Sequence, residues 1–328
     1  MSKINPSTPL RIDTEPRQRR GERINVAVIG IGHLGSKHLR VLSELKDKVN
    51  IIGICDLNLR RTKKFADHYR VKFFRNYRDL MGLVDAVDIC VPTSLHYSVA
   101  KDFLEKDIHT FIEKPIASSA EEAEKLAVLS EKRNLKLQVG HVERFNSAFL
   151  AIQKLAKNPH FVECHRLNHF PNRSLDIGVV MDLMIHDIDI VLDLVKSPVK
   201  SVDAVGALVL SKTEDIANAR IRFKNNTVCN LTASRVIADP QRRIRIFQDK
   251  AYISLDYVSQ EAHIFTKENG HIQHKRIDIT KSDSLKEELD HFIDCVRSKK
   301  KPLVSGEEGR AALALALQIS KQIHSQLL

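Results

Sequence analysis

The sequence predicts an α/β protein in which a doubly wound parallel sheet is followed by a second, mainly antiparallel sheet. From residue 23 to 140, short apolar runs alternate with helical patterns, as expected for parallel strands joined by right-handed crossovers. From residue 201 onward strand-like segments dominate, and several alternate polar with apolar residues, which is typical of strands with one solvated face. The length of 328 residues also suits two domains better than one core.

The first unit opens with a strand, a glycine-rich turn and a helix. A mostly apolar run leads into Gly30-x-Gly32-x-x-Gly35, and a helical pattern follows. The first glycine of such a loop permits the turn, the second lets a pyrophosphate approach the backbone, and the third lets helix and strand pack closely. His33 and Leu34 belong to the same loop, where a helix N-terminus offers N–H groups to phosphates. This stretch therefore predicts a dinucleotide site.

The second strand indicates which dinucleotide is bound. It ends at Asp56, about 20 residues beyond the last glycine, where a carboxylate can accept hydrogen bonds from the adenosine ribose. A carboxylate at this position also repels the 2′-phosphate of NADP, so Asp56 favours NAD. Arg60 and Arg61 follow closely and leave NADP as an alternative.

Two turns of the first unit lie at carboxyl ends of strands, where ligands bind in open α/β sheets. Pro92, Thr93 and His96 follow one strand, and Glu113 and Lys114 follow the next. We expect all five residues to line the dinucleotide site. For Lys114, an ordinary surface lysine before a proline is the alternative that spacing leaves open.

The predicted elements divide the chain into four parts. They are a flexible basic tail (1–22), a dinucleotide-binding domain (23–140), an α+β domain for substrate binding and oligomerisation (141–304), and a C-terminal helix at the domain junction (305–328). Capping boxes are predicted at Ser118-x-x-Glu121 and Ser305-x-x-Glu308, and a hairpin turn at Asn225-Asn226. The predicted helices cover 35–46, 59–70, 94–106, 120–133, 147–157, 176–195, 284–298 and 309–328, and the predicted strands cover 24–29, 50–55, 71–74, 87–91, 109–112, 135–139, 161–168, 201–210, 216–223, 227–235, 242–248, 250–256, 261–266 and 271–279.

Asp182 and His186 form the sharpest pair of chemical groups. They are four residues apart in an apolar helical segment, so they share one helix face. A carboxylate that holds an imidazole orients a general base, and an ordinary pair on a wet helix face is the alternative. Asp187 and Asp189 are expected to be solvated or to support this pair. His165 and His169 form no standard metal motif with it, so we predict no metal site.

Taken together, Gly30-x-Gly32-x-x-Gly35, Glu113-Lys114-Pro115, Gly140-His141 and Asp182-x-x-x-His186 resemble the Gfo/Idh/MocA oxidoreductase family. The resemblance covers about residues 23 to 328. It implies a Rossmann domain, a C-terminal domain with an open sheet, and NAD(P)-dependent redox chemistry at a sugar or cyclitol carbon. It also implies that Lys114, Asp182 and His186 act at the substrate hydroxyl.

Residues 140–146, together with 37–41, are similar to UDP-N-acetylglucosamine 3-dehydrogenases, although Ser147 stands where these relatives usually have proline. That branch oxidises the sugar 3-hydroxyl before an aminotransferase converts the ketone, and such amino sugars can enter lipid A. Inositol, free-sugar and other nucleotide-sugar dehydrogenases remain alternatives, as does a dinucleotide-sensing regulator without turnover. Four further side chains are candidate substrate contacts. For Arg144 and Asn146 the alternative is a part in a domain-linking salt bridge, and Arg166 and Arg173 could meet a diphosphate.

Composition limits the other classes of protein. The net charge of +11 is spread along the chain, and without tryptophan or interleaved aromatic residues we expect no nucleic-acid partner. We predict neither a membrane span nor a secretory signal. The five cysteines are scattered and none forms a CxxC pair, so free thiols in a reducing cytoplasm are expected. An exposed sheet face in the second domain predicts a homo-oligomer.

Overall fold

Two β-sheets organise the chain in this computed structural model, which describes residues 23–170, 177–298 and 300–327, the last without its side chain. The predicted basic tail (1–22) and Arg173 lie outside the described residues. The two predicted sheet types are confirmed, and most predicted elements occur within a few residues of their expected bounds.

The first sheet is fully parallel and has six strands in the order β3-β2-β1-β4-β5-β6. The order steps outward in both directions from β1, which creates a crevice between β1 and β4 at the carboxyl ends of the strands, as in Rossmann folds. The strands are β1 (Ile24–Ile29), β2 (Val49–Cys55), β3 (Lys72–Phe74), β4 (Ala86–Ile89), β5 (His109–Glu113) and β6 (Leu137–Gly140), and the helices between them are α1 (His33–Glu44), α2 (Leu59–Tyr69), α3 (Thr93–Leu104) and α4 (Ala120–Lys132).

The second sheet has eight strands in the order β14-β13-β12-β11-β7-β10-β9-β8. Only the β7–β10 pair is parallel, and all other neighbours are antiparallel. Along β7 and β9, buried residues alternate with partly or fully exposed ones, so one face lies on the core and the other is open. The strands are β7 (Phe161–Leu167), β8 (Val199–Ala207), β9 (Ile216–Phe223), β10 (Val228–Ser234), β11 (Gln241–Gln248), β12 (Ala251–Asp256), β13 (Glu261–Glu268) and β14 (His271–Arg276).

The helices of the second half differ most from the prediction. After α5 (Ser147–Gln153), the segment predicted as one helix over 176–195 begins with a π-helical turn over Val180–Met184 and continues as α6 (Ile185–Val195). Apolar periodicity does not distinguish a π turn from an α turn, so the sequence could not reveal it. Two further helices follow, α7 (Ser284–Arg297) and α8 (Gly306–Leu327).

The helix caps test the local sequence signals. The box predicted at Ser305 is confirmed, because the backbone N–H and hydroxyl of Ser305 both donate to Glu308. The box predicted at Ser118 is wrong by one residue: the Ser119 hydroxyl accepts the Glu122 N–H, and the Glu122 carboxylate accepts the Ser118 N–H. Two adjacent serines are followed by two adjacent glutamates here, so the pattern fits both registers equally well.

The two long C-terminal helices join the sheets. In α8, Leu313 packs in the core beside the first sheet, whereas Ala316 and Ile319 pack in the core of the second. Helix α7 lies in the part of the chain assigned to the second domain, yet Leu289 and Phe292 pack against the first sheet. The described residues include no helix that is both long enough and apolar enough to span a membrane.

Candidate active site

The glycine loop has the geometry that its sequence requires. Gly30 adopts a φ of +91°, a conformation that other residues rarely take, and its N–H donates to Cys55. A Cβ on Gly35 would lie 1.8 Å from the Gly30 carbonyl oxygen, so only glycine lets α1 approach the turn. A Cβ on Gly32 would have no atom within 4 Å and would point into open space. The loop therefore has room for a pyrophosphate at Gly32.

The start of α1 suits an anion. Gly32 is its N-cap, no described side chain caps the helix, and its first turn carries no acidic residue. The N–H groups of the His33–Gly35 turn thus form the positive end of the helix dipole beside the open space at Gly32. These features fit a dinucleotide phosphate without rearrangement of the loop.

Asp56 lies at the end of β2, where the sequence places the ribose ligand, but it already has several partners. Its carboxylate accepts the N–H groups of Ile31 and Asn58, both at 2.7 Å. Arg61 also donates to both carboxylate oxygens at 3.0 Å. A ribose would therefore share Asp56 with an arginine, and this arginine is itself able to pair with a 2′-phosphate.

The turn after β4 has two different parts. Pro92 is the N-cap of α3 and Thr93 is its first residue, which places both at the carboxyl end of the sheet. His96 is buried, and its ring nitrogens lie 2.7 Å from the Pro115 carbonyl and 2.9 Å from the Val91 carbonyl. Instead of facing the crevice, this imidazole ties α3 to the turn that carries Lys114.

Glu113 also points inward, against a cluster that the sequence analysis missed. Its carboxylate lies 3.1 Å from Nε2 of His38, whose Nδ1 lies 2.9 Å from Asp88. Burial lowers the pKa of His38, but the charges and hydrogen bonds of Asp88 and Cys90 together outweigh it and raise the pKa well above its ordinary value. Glu113 also accepts the Lys114 N–H at 3.1 Å, so it positions the turn rather than facing the crevice. The sequence signal for this cluster is a histidine on the otherwise apolar face of α1.

Lys114 pairs with Asp182 across the two halves of the chain. Its ammonium donates to the Asp182 carbonyl at 2.6 Å and to the carboxylate at 3.3 Å. The prediction that Asp182 holds His186 is therefore wrong for this structure: the carboxylate pairs with a full positive charge, a stronger partner than a neutral imidazole. The π turn of Val180–Met184 carries Asp182, and such turns are frequent at functional sites.

His186 lies next to this pair and makes no hydrogen bond with any residue that the structure describes. Its ring meets that of His141 edge-on, with 6.1 Å between centroids. Burial, followed by the positive charges of Lys114 and Arg166, lowers the pKa of His186 well below its ordinary value. Burial also lowers the pKa of His141 to about 3. Both imidazoles are therefore neutral at physiological pH, and His186 can accept a proton.

Three of the four predicted substrate contacts are buried and already paired with protein groups, namely Arg144, Asn146 and Arg166. Arg144 lies 3.2 Å from Asp193 and 3.8 Å from Asp189, so it forms an ion pair, but within residues 141–304 and not between the two predicted domains. Asn146 caps α5 and donates to the Tyr257 carbonyl. A substrate could contact these two side chains only by displacing their partners, and this is costly because the displaced groups would be left buried without a hydrogen bond.

Arg166 is likewise committed to protein carboxylates. It donates to Asp187 through Nε and Nη2, and to Glu143 through Nη1 at 2.9 Å. Of the two alternatives for Asp187 and Asp189, solvated positions are excluded, since both are at most 3% exposed. Arg166 thus fixes the start of α6, directly beside His186.

Metal-ligand chemistry converges at one place among the described residues. His38, Asp88 and Cys90 each offer one ligand atom within 4.8 Å of the others. These groups already contact one another, with the Cys90 thiol 3.5 Å from His38 and 3.4 Å from Asp88. His165 faces the open side of the second sheet, paired with Glu163, and His169 is exposed. All five cysteines are free thiols, and all but Cys90 are buried.

A dinucleotide cradle beside a lysine–carboxylate pair and a neutral imidazole defines a nicotinamide-dependent oxidoreductase. Residues 24–141 match the family described as an oxidoreductase family with an NAD-binding Rossmann fold, and residues 139–254 match the GFO/IDH/MocA C-terminal domain. The chain belongs to the Gfo/Idh/MocA oxidoreductase family.

Two relatives and one solved structure illustrate this membership. UDP-N-acetylglucosamine 3-dehydrogenase from Acidithiobacillus ferrooxidans is 34% identical over 93% of this chain and 98% of its own length. The solved structure of UDP-N-acetylglucosamine 3-dehydrogenase GnnA from the same species superposes with a TM-score of 0.89 and covers 94% of this chain and all of its own. Myo-inositol 2-dehydrogenase from Thermotoga maritima is 26% identical over 92% of this chain and 97% of its own length.

Proposed function

We propose that this oxidoreductase uses NAD to oxidise a sugar hydroxyl of a nucleotide sugar, the 3-hydroxyl of UDP-N-acetylglucosamine. The observation that carries the proposal is the 34% identity to a UDP-N-acetylglucosamine 3-dehydrogenase over nearly the whole of both chains. An aminotransferase would then consume the ketone, in a cytoplasmic route to amino sugars such as those of lipid A. In this proposal residues 23–140 bind the dinucleotide and 141–304 bind the substrate.

The proposed mechanism assigns one task to each polar group. A bound nicotinamide dinucleotide supplies the hydride acceptor. His186 takes the hydroxyl proton, and its low pKa keeps it in the neutral form that this task requires. Lys114 donates to the same oxygen and stabilises the developing alkoxide charge. Asp182 holds the Lys114 ammonium in place until substrate arrives.

The test is formation of reduced nicotinamide from NAD and UDP-N-acetylglucosamine, with an aminotransferase and glutamate present to remove the ketone. His186→Ala should lower turnover about 10²–10⁴-fold, the usual contribution of a positioned proton acceptor. NAD affinity should stay unchanged in this variant. His160→Ala is the matched control, since His160 is an exposed histidine paired with Asp249. Normal turnover of the His186 variant would remove that residue from the mechanism.

The same assay separates the alternatives. Turnover of inositol but not of the nucleotide sugar would favour the function named for the Thermotoga relative. Tight dinucleotide binding without turnover of any polyol would favour a sensor.

The preference for NAD rests on Asp56. We expect Asp56→Ala to weaken NAD binding and to strengthen NADP binding, because the repelling charge is lost and Arg61 becomes available to a 2′-phosphate. Calorimetric titration with both dinucleotides measures this exchange. Unchanged affinities for both would exclude Asp56 as the ribose ligand.

We also propose that the open face of the second sheet forms a homo-oligomer. A row of neighbouring rings crosses this face, with consecutive centroids 4.5–5.7 Å apart, and consists of Phe161, Phe247, Tyr252, Phe265 and His274. Partly exposed rings in such a row are typical of interaction surfaces. Size-exclusion chromatography with light scattering tests this, and Tyr252→Glu should shift an oligomer toward monomer.

A further inference from the structure

Arg242 is a cation on the site side of the second sheet. It is the second residue of β11 and lies directly opposite Arg166 of β7 in the antiparallel register. Opposed residues of an antiparallel pair point to the same face, so Arg242 shares the face on which Arg166 contacts α6. Arg243, the next residue, points to the open face and pairs with Asp256.

Arg242 and Arg166 have very different surroundings. Arg166 is 3% exposed and is neutralised by Glu143 and Asp187. Arg242 is exposed, and its guanidinium makes no hydrogen bond or ion pair with any residue that the structure describes. Partial burial of the guanidinium, followed by the positive charge of Arg166, lowers the pKa of Arg242. A guanidinium in this situation has unused donors and gains from an added negative charge.

The position of Arg242 connects it to the reacting groups. Arg166 binds Asp187, and Asp187 directly follows His186 in the chain. Arg242 itself contributes to the lowered pKa of His186, so the two side chains lie within electrostatic range. A substrate whose hydroxyl reaches His186 can therefore extend a more distant group to Arg242.

Among the residues that the structure describes, the other cations close to this position are already paired with protein groups. Lys114 is held by Asp182, and Arg144 and Arg166 are buried in ion pairs with carboxylates. The geometry thus leaves Arg242 as the cation of this group with free donors, and a guanidinium matches the paired oxygens of a phosphate.

We propose that Arg242 binds the diphosphate of a nucleotide-sugar substrate and so determines specificity for nucleotide sugars over neutral sugars and cyclitols. This inference rests on the proposed function, which places the sugar hydroxyl at His186 and so directs the diphosphate toward Arg242. It adds an anion subsite to the reaction site and predicts that UDP without a sugar binds there.

The test is titration calorimetry of UDP into the full chain saturated with NAD. Arg242→Gln should weaken UDP binding about 10–100-fold, the range for loss of charge-assisted hydrogen bonds. Arg242→Lys keeps the charge without the planar fork, so its affinity should lie between those of wild type and Arg242→Gln. Arg243→Gln is the matched control, because it removes a neighbouring guanidinium from the opposite face and should leave UDP binding unchanged.

Kinetics and salt provide independent readouts. Arg242→Gln should raise KM for the nucleotide sugar by a similar factor, with kcat at saturation and NAD affinity within about twofold of wild type. Its UDP affinity should also depend less on ionic strength. Thermal unfolding of each variant shows whether it folds, and Arg242→Lys carries the test if Arg242→Gln does not.

The outcomes separate this inference from the proposed function. UDP binding that depends on Arg242, without oxidation of UDP-N-acetylglucosamine, would support the anion subsite and contradict the proposed reaction. Oxidation of the nucleotide sugar with wild-type UDP affinity in Arg242→Gln would support the reaction and overturn the subsite. Absence of UDP binding to the wild-type chain would also overturn it.

Discussion

Replacing Gly35 with alanine should damage the fold itself, whereas replacing Gly32 should damage only dinucleotide binding. The two glycines lie three residues apart in one loop, yet an added methyl group meets different surroundings at each. At Gly35 the new Cβ would lie 1.8 Å from the Gly30 carbonyl oxygen, and at Gly32 no atom lies within 4 Å. The pair therefore separates a packing requirement from a ligand requirement.

The magnitude follows from how little the loop can move. Relief of the clash at Gly35 requires a shift of more than 1 Å between α1 and the turn, since real Cβ contacts under 3.0 Å essentially never occur. The turn is held by the φ of Gly30 at +91° and by the hydrogen bond from Gly30 to Cys55. Overpacking costs about 1–3 kcal/mol, and we expect the upper end because the new methyl group meets a backbone carbonyl, which cannot rotate away as a side chain can. At about 2–4 °C per kcal/mol, the melting temperature should fall by roughly 6–12 °C.

Differential scanning calorimetry without dinucleotide measures this effect. Gly32→Ala should unfold within about 1 °C of the wild type but lose about tenfold in NAD affinity, because its methyl group occupies the space that a pyrophosphate needs. A Gly35→Ala protein as stable as wild type would refute the packing argument. Normal NAD binding by Gly32→Ala would refute the placement of the pyrophosphate.

Two further variants test buried polar groups. The His109 Nδ1 atom accepts the Lys136 N–H, and burial lowers the pKa of His109 to about 4. Between pH 6.5 and 4 the unfolded chain therefore binds more protons than the folded chain, and wild-type stability falls as the pH is lowered. His109→Asn should reduce this loss of stability by about 3 kcal/mol in denaturant titrations at both pH values, and an unchanged pH dependence would contradict the argument. Arg235 is 1% exposed and pairs with the fully buried Asp215 at 2.7 Å. Arg235→Met should cost about 3–5 kcal/mol of unfolding free energy, because it leaves a buried carboxylate without its positive partner. Urea unfolding measures this loss, and Asp215→Asn in the same chain should partly restore the stability.

The parts of the fold that the sequence predicts well are governed by local rules. The glycine loop, its flanking strand and helix, and the cap at Ser305 depend on residues within one turn of each other, and all agree with the structure. The alternation of helix with strand then leaves few ways to order a parallel sheet. Helix α7 shows the limit of this reasoning, because its apolar face could pack on either sheet and only the tertiary structure decides between them.

The site could be predicted only in part, because its partners come from distant segments. The sequence identifies Lys114, Asp182 and His186, but helical spacing suggested a pair between the last two. The carboxylate instead pairs with a lysine 68 residues away in the chain. Arg166 is a candidate diphosphate contact from its sequence alone, because nothing local reveals that Asp187 and Glu143 enclose it.

This exchange of partners changes the expected pH dependence of the reaction. An imidazole held by Asp182 would have a raised pKa, and activity would decline as the pH fell from above 6.5. In the structure the pKa of His186 is lowered well below 6.5, chiefly by burial and then by the positive charges of Lys114 and Arg166. The neutral base therefore persists to lower pH, and we expect the acid limb of kcat/KM for the sugar substrate to lie below pH 6.5. Asp182→Asn should leave that limb below 6.5, because the carboxylate does not hold the imidazole. A wild-type limb above pH 6.5 that moves lower in Asp182→Asn would instead mean that Asp182 turns from Lys114 to His186 during turnover.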